Sequence, residues 1–289
     1  MKAIFCKLLS VIITLISMFA VELNQPTIPD PTKKVDLSQF RMTFEDDFDG
    51  ELDRSVWSGH YTYGDASSIR KGSYWNNNMA YTEDGKLIIP LRYLPDGMGG
   101  TGAGWYTAGL DTDSDAPNGF SQKFGYFECR CILPKGADIW SAFWMFNDSV
   151  GNVDGSGRDG TEVDIFESFS YGKTLSNVVQ CNFHWDGYGE AHQSGGHCKT
   201  YVIGNNPYEE FNTYGLEWNE NEYIFYVNGK EFYRTDEGGV CQNPLYLILS
   251  VEVKGDNAVS SERDENAAPA DFIVDYVRAY QYIDIIDAK

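Results

Sequence analysis

Apolar residues that alternate in short runs, cut by closely spaced turns, constrain this chain to strands. From Ser38 onward, segments with a period of two recur between turn signals: Asp49-Gly50, Asp84-Gly85, Asn118-Gly119, Asp186-Gly187 and Asn228-Gly229. Glu222 to Val227 followed by Asn228-Gly229 predicts a hairpin arm and its tight turn. Leu245, Leu247, Leu249, Val251 and Val253 form one apolar face of a long strand. Phe272, Val274, Tyr276, Arg278 and Tyr280 alternate with Ile273, Asp275, Val277 and Ala279. No segment of a dozen residues holds a helical period. With 289 residues the chain could make one large all-β domain or two small domains. No internal repeat or second composition regime divides it. The expectation is an all-β, two-sheet antiparallel sandwich of jelly-roll type over residues 38–289.

The flanking segment reads differently. In residues 1–20, Lys2 and Lys7 precede an apolar run from Leu8 to Val21 that is broken only by Ser10, Thr14 and Ser17. That run is short for a membrane span and predicts a secretory signal cleaved after Ala20, with an uncleaved anchor as the alternative. A secreted chain with no membrane attachment after signal removal follows. Residues 21–37, with Pro26, Pro29 and Pro31, read as a linker. Five cysteines follow the signal, an odd number that cannot all pair within one chain. Cys129 and Cys131 lie on the side of Phe127 and Leu133 and read as buried thiols, whereas Cys181 with Cys198 is a candidate disulfide. The net charge of -21 makes nucleic acid a poor partner and repels sulfated glycans, so a neutral polymer or a divalent cation suits the chain better.

The chemistry concentrates in Glu162-Val163-Asp164-Ile165-Phe166-Glu167. Glu162 and Asp164 share a strand face, but strict alternation would turn Glu167 to the other. A one-residue bulge near Ile165-Phe166 would bring all three acids onto one surface, with Val163 and Ile165 pointing into a core. Two carboxyl groups facing each other across an anomeric carbon can cleave a glycosidic bond with retention, one as nucleophile and one as acid and then base. Asp164, between them, could tune the charge of either. The plainer reading is an acidic strand that binds calcium or is merely solvated.

Further segments join this run. Phe44-Glu45-Asp46-Asp47-Phe48-Asp49-Gly50, Gly125-Tyr126-Phe127-Glu128, Leu133-Pro134-Lys135-Gly136, Trp140-Ser141-Ala142-Phe143-Trp144-Met145, Phe211 to Trp218 and Asp275-Tyr276-Val277-Arg278 resemble blocks of glycoside hydrolase family 16. The resemblance runs from about Phe44 to Tyr282. It implies a concanavalin A-like sandwich with a concave substrate cleft and a monomeric hydrolase acting on polysaccharide. By that resemblance Glu162 is the nucleophile, Asp164 the assisting acid and Glu167 the general acid/base. The bulged spacing is that of laminarinase-like members, which favours β-1,3 or mixed β-1,3/1,4-glucans. The resemblance also implies substrate contacts from Trp140, Trp144, His184, Trp105 and Asn78. It implies no cofactor for catalysis, but a structural calcium through Glu45, the Gly85 carbonyl and Asp275. Galactan hydrolysis, transglycosylation and noncatalytic glycan binding are the competing functions. Ser250 to Gly255 and the Ser149 to Thr161 loop depart from the family pattern, which leaves the preferred glycan open.

Overall fold

The alternation is realised as two stacked sheets. The structure is a computed structural model that describes residues 25–59, 67–113, 116–169, 176–255 and 260–288. The signal segment 1–20 and the first residues of the 21–37 segment lie outside the described residues. The smaller sheet has seven strands, ordered Gln193–Tyr201, Val178–Trp185, Glu162–Ser168, Ile139–Phe146, Leu245–Val253 and Gly109–Asp111, with Ser121–Gln122 also beside Leu245–Val253. The larger has eleven, with Gly125–Ile132 and Ala270–Tyr282 at its centre. Pairing among the described strands is antiparallel except between Ser73–Trp75 and Gly104–Thr107.

The core lies between the sheets. Leu245, Leu247, Leu249, Val251 and Val253 are completely covered, as their spacing predicts. They meet Phe127, Cys129, Cys131, Leu216, Phe225 and Phe272 from the larger sheet in one apolar cluster. Each such side chain contributes about 1.5–3 kcal/mol by leaving water. Cys129 and Cys131 are buried thiols. Cys181 and Cys198 stand directly opposite each other on adjacent strands, and both are thiols. Asn228 and Gly229 adopt φ of 50° and 69°, the left-handed pair that a two-residue hairpin turn requires.

Two features depart from the sequence reading. In Ala270–Tyr282 a bulge between Val274 and Tyr276 swaps the faces. Phe272 and Val274 point inward before it, and Val277 and Ala279 after it. The alternation of Tyr276, Arg278 and Tyr280 with Phe272 therefore does not describe one face. The other correction concerns residues 25–36, which are a strap and not a free linker. The Thr27 amide donates to the Lys199 carbonyl at 2.7 Å, extending the edge of the smaller sheet. The Asp30 amide donates to the Glu231 carbonyl at 2.7 Å, and the Glu231 amide to the Lys33 carbonyl at 3.0 Å, along the edge of the larger. The strap thus covers backbone groups on both sheet edges, which would otherwise stand open to pairing.

Candidate active site

The strand Glu162–Ser168 is held from both sides. Toward Ile139–Phe146, Trp144 is opposite Asp164, but Phe143 is opposite Phe166, so Ile165 is the extra residue of a bulge. Toward Val178–Trp185, Glu162 faces His184, Asp164 faces Asn182 and Glu167 faces Gln180. Val163, Ile165 and Phe166 all enter the core. Two consecutive inward residues turn Glu167 back to the side of Glu162 and Asp164, as the spacing of the acids predicts.

Each carboxylate has its own surroundings. The Tyr188 hydroxyl donates to Glu162 Oε2. Glu167 accepts from Asn182 Nδ2 through Oε2 and from the Trp140 side chain. Asn182 is itself fixed, because its Oδ1 accepts from Gln180 Nε2 and His197 Nδ1, both at 2.8 Å. His197 occupies a second bulge, with φ of 48°. Asp164 is only 4% exposed, and its Oδ2 has no hydrogen-bond partner. His184 lies across from the acids, with Nε2 3.6 Å from Asp164 Oδ2 and 3.9 Å from Glu162 Oε1. Its Nδ1 is 2.9 Å from His192 Nε2, and the two rings stack at 5.1 Å.

These surroundings separate the acids electrostatically. Burial raises the Glu162 carboxyl to about 7, with Tyr188 pulling the other way. Burial and the charge of Glu162 raise Glu167 to about 8, against the hydrogen bond from Trp140. Asp164 is pushed well up by burial, then by Glu167 and Glu162. Burial raises both carboxyls; Glu167 also bears the charge of Glu162, whereas the Tyr188 hydroxyl supports the ionised form of Glu162, an asymmetry that suits a proton donor and a nucleophile. Burial, with His192 and His197 nearby, lowers His184 to about 4, so this imidazole is neutral near pH 7.

The structure sorts the remaining predicted residues. Trp140 is half-buried beside Glu167, opposite Glu252, with the Arg70 guanidinium 5.8 Å from its ring centre. Trp144 shares the acids' face, but at 6% exposure it packs with Ala142, Phe146, Val150, Tyr246 and Ile248, and its indole nitrogen donates to Ser250 Oγ at 3.1 Å. It is a floor under the site with little surface for a sugar. Trp105 is corrected outright. It is 2% exposed on Gly104–Thr107, within the core, and lies under the Arg263 guanidinium. Asn78 is exposed on the turn Asn77–Met79, and none of the described contacts of the three carboxylates involves it.

The calcium set does not fit. Asp275 pairs through Oδ1 with Lys86 at 3.0 Å and through Oδ2 with Arg130, while Glu45 pairs with Arg278 at 2.8 Å. The Gly85 carbonyl accepts from Lys86 Nζ at 3.1 Å, the same ammonium that pairs with Asp275. Protein cations already pair with both acids, and the Lys86 ammonium occupies the point where the Gly85 carbonyl and Asp275 Oδ1 converge.

Sequence reasoning missed Tyr188, Asn182, His192, His197, Arg70 and Glu252. Glu252, on the acids' side of the smaller sheet, lies 3.0 Å from Arg70, and burial raises its carboxyl against the pull of that cation. Its signal was present, since Glu252 interrupts the apolar row of Leu245–Val253 on the outward face.

A glycoside hydrolase on a jelly-roll sandwich is the class that this fold and carboxylate face define. The chain belongs to glycoside hydrolase family 16: a family profile described as "Beta-porphyranase A-D, GH16 domain" matches residues 39–282. The chain is similar to glucan endo-1,3-beta-glucosidase A1 of Niallia circulans, with 27% identity over 90% of this chain and 40% of that protein. It thus spans less than half of that relative. It is also similar to a beta-glucanase of Rhodothermus marinus, with 27% identity over 79% of this chain and 85% of that one. Among solved structures, the catalytic domain of an endo-1,3-beta-glucanase (laminarinase) from Thermotoga petrophila superposes with a TM-score of 0.66 at 25% identity, covering 84% of this chain and 98% of that one.

Proposed function

We propose that the protein is a secreted, monomeric, endo-acting retaining hydrolase of β-1,3- or mixed β-1,3/1,4-glucans. The observation that carries this reading is geometric: the bulge at Ile165 brings Glu162 and Glu167 onto one strand face, with the Tyr188 hydroxyl on the first and the Asn182 amide on the second. In the first step Glu162 attacks the anomeric carbon and Glu167 protonates the departing glycosidic oxygen. Loss of the Glu162 charge in the resulting ester weakens the repulsion on Glu167, which then takes a proton from water as that water attacks the anomeric carbon, breaking its bond to Glu162 and restoring the carboxylate. Trp140 offers an aromatic face and fixes the acid. Neutral His184 borders Glu162 without donating a full charge to it. The chain's own carboxylates suffice for these steps. The relatives' names support the glucan assignment.

A second reading, a galactan hydrolase, is favoured by the profile match. One experiment separates the two: product analysis on laminarin, barley β-glucan, lichenan, xyloglucan, agarose and porphyran, with the anomer of the first product read by NMR. Short oligosaccharides of β-configuration from laminarin or β-glucan support the first reading. Turnover confined to agarose or porphyran supports the second, and α-anomers from any substrate overturn retention. Export is tested by N-terminal sequencing of protein from the culture medium, where a start at Val21 is expected.

A further inference from the structure

We propose that Glu162, Asp164 and His184 form a binding site for a divalent transition-metal ion, zinc foremost, which competes with the sugar for the nucleophile. One ligand atom from each residue lies within 4.8 Å of the others. Zinc holds nitrogen and oxygen ligands at about 2.0–2.2 Å, so tetrahedral ligands stand roughly 3.3–3.5 Å apart. His184 Nε2 is 3.6 Å from Asp164 Oδ2 and 3.9 Å from Glu162 Oε1, close to that spacing, and the two carboxylate oxygens, within 4.8 Å of each other, close on the ion by side-chain rotation.

An independent observation points to a cation here. Asp164 Oδ2 is buried without a hydrogen-bond partner and is directed at His184 Nε2. An unsatisfied buried acceptor is costly even on a neutral carboxyl. Metal occupancy would satisfy it and would select the tautomer in which Nε2 carries the lone pair. The Nδ1 proton of His184 then goes to His192 Nε2 at 2.9 Å, the outer hydrogen bond that commonly orients a metal-bound histidine. On Glu162, Tyr188 holds Oε2 and leaves Oε1 toward the imidazole.

The donor set also predicts which ions bind. Two carboxylate oxygens with one imidazole nitrogen suit zinc or copper, whereas calcium and magnesium prefer oxygen alone. The net charge of -21 raises the local cation concentration. The ion would displace protons from these carboxyls, so its affinity rises with pH.

The competition rests on the proposed role of Glu162, but metal binding does not. The test is therefore calorimetric titration of the purified full chain with ZnCl2 and, separately, CaCl2, beside kinetics on the best substrate. One zinc per chain is expected, with no saturable heat from calcium. H184Q and D164N should each weaken zinc at least tenfold, and H192Q about tenfold, in proteins whose circular dichroism matches the parent. Zinc should raise KM and leave kcat unchanged, reversibly with EDTA. Absence of saturable zinc binding, or undiminished affinity in both H184Q and H192Q, overturns the site. Inhibition that lowers kcat at constant KM overturns the competition. If no glucan is turned over, the calorimetry still decides the site.

Discussion

Replacing Glu167 with glutamine tests whether its carboxyl is held protonated by burial. The carboxyl titrates near 8 in the fold, against 4.5 when free. Ionising it in place would cost about 5 kcal/mol if the whole difference were local. Part of that cost belongs to the charge on Glu162, and local relaxation removes more. About 2 kcal/mol is the expected remainder, or roughly 4–8 °C in melting temperature for a domain near this size. The sign follows from proton binding. The unfolded chain loses the proton near 4.5 and the folded chain only near 8, so this group lowers stability as pH rises between them. The penalty is absent below the lower value and complete above the upper. E167Q should therefore melt higher than the parent at pH 9 and within about 1 °C of it at pH 4. At low pH the amide still has to meet donors from both Asn182 and Trp140, which makes a slight destabilisation the expected deviation. The assay is a pair of thermal melts across pH by circular dichroism. A difference between parent and variant that does not change with pH would refute the reasoning.

The same two carboxyls set the pH profile: kcat/KM should rise through about 7 and fall through about 8, and an optimum near pH 5 would contradict it. N182A removes a donor to the Glu167 carboxylate, so its alkaline limb should move to higher pH while kcat falls about tenfold; an unmoved limb would show that Asn182 only packs. Excess CaCl2 or EDTA should change the melting temperature by less than about 1 °C, because Asp275 and Glu45 are already paired with protein cations. Deleting residues 21–36 uncovers both sheet edges and should cost about 2–4 kcal/mol in urea unfolding, with increased aggregation.

The fold was legible because alternation reports burial directly. Leu245 to Val253 are covered on one face at every second position, as written in the sequence. The bulge in Glu162–Ser168 was also legible, since three acids spaced two and then three apart can share a face only with an extra residue. The bulge between Val274 and Tyr276 carried no such marker, because apolar residues on both faces of that strand hide the change of phase. The strap was misread for a related reason: its prolines mark a segment poor in amide donors, which fits an edge cover as well as a free linker. Trp105 and Trp144 show the limit of aromatic residues as site markers. Resemblance can align a tryptophan, but only packing decides whether its ring faces a sugar or a core. Tyr188 and Asn182 reach the acids, and His197 reaches Asn182, from neighbouring strands and a turn, so no spacing along the chain connects them.

The site also shows why its acids can share a buried face at all. Three charged carboxylates there would repel one another strongly, and the fold counters this in two ways. Burial keeps protons on Glu167 and Asp164 above their usual range, which reduces the charge actually present. Fixed donors then favour ionisation of particular groups: Tyr188 on Glu162, and Asn182 with Trp140 on Glu167. The donor to Glu167 depends on the second bulge, because His197, at φ of 48°, delivers the hydrogen bond that holds the Asn182 carbonyl away from the acid. One irregularity thus aims the carboxyl and another, on a strand two places away, orients the donor that meets it. Regularising either strand would leave the core alternation elsewhere intact and still dismantle the chemistry, so the two bulges are where function departs from the repetitive pattern that builds the sandwich.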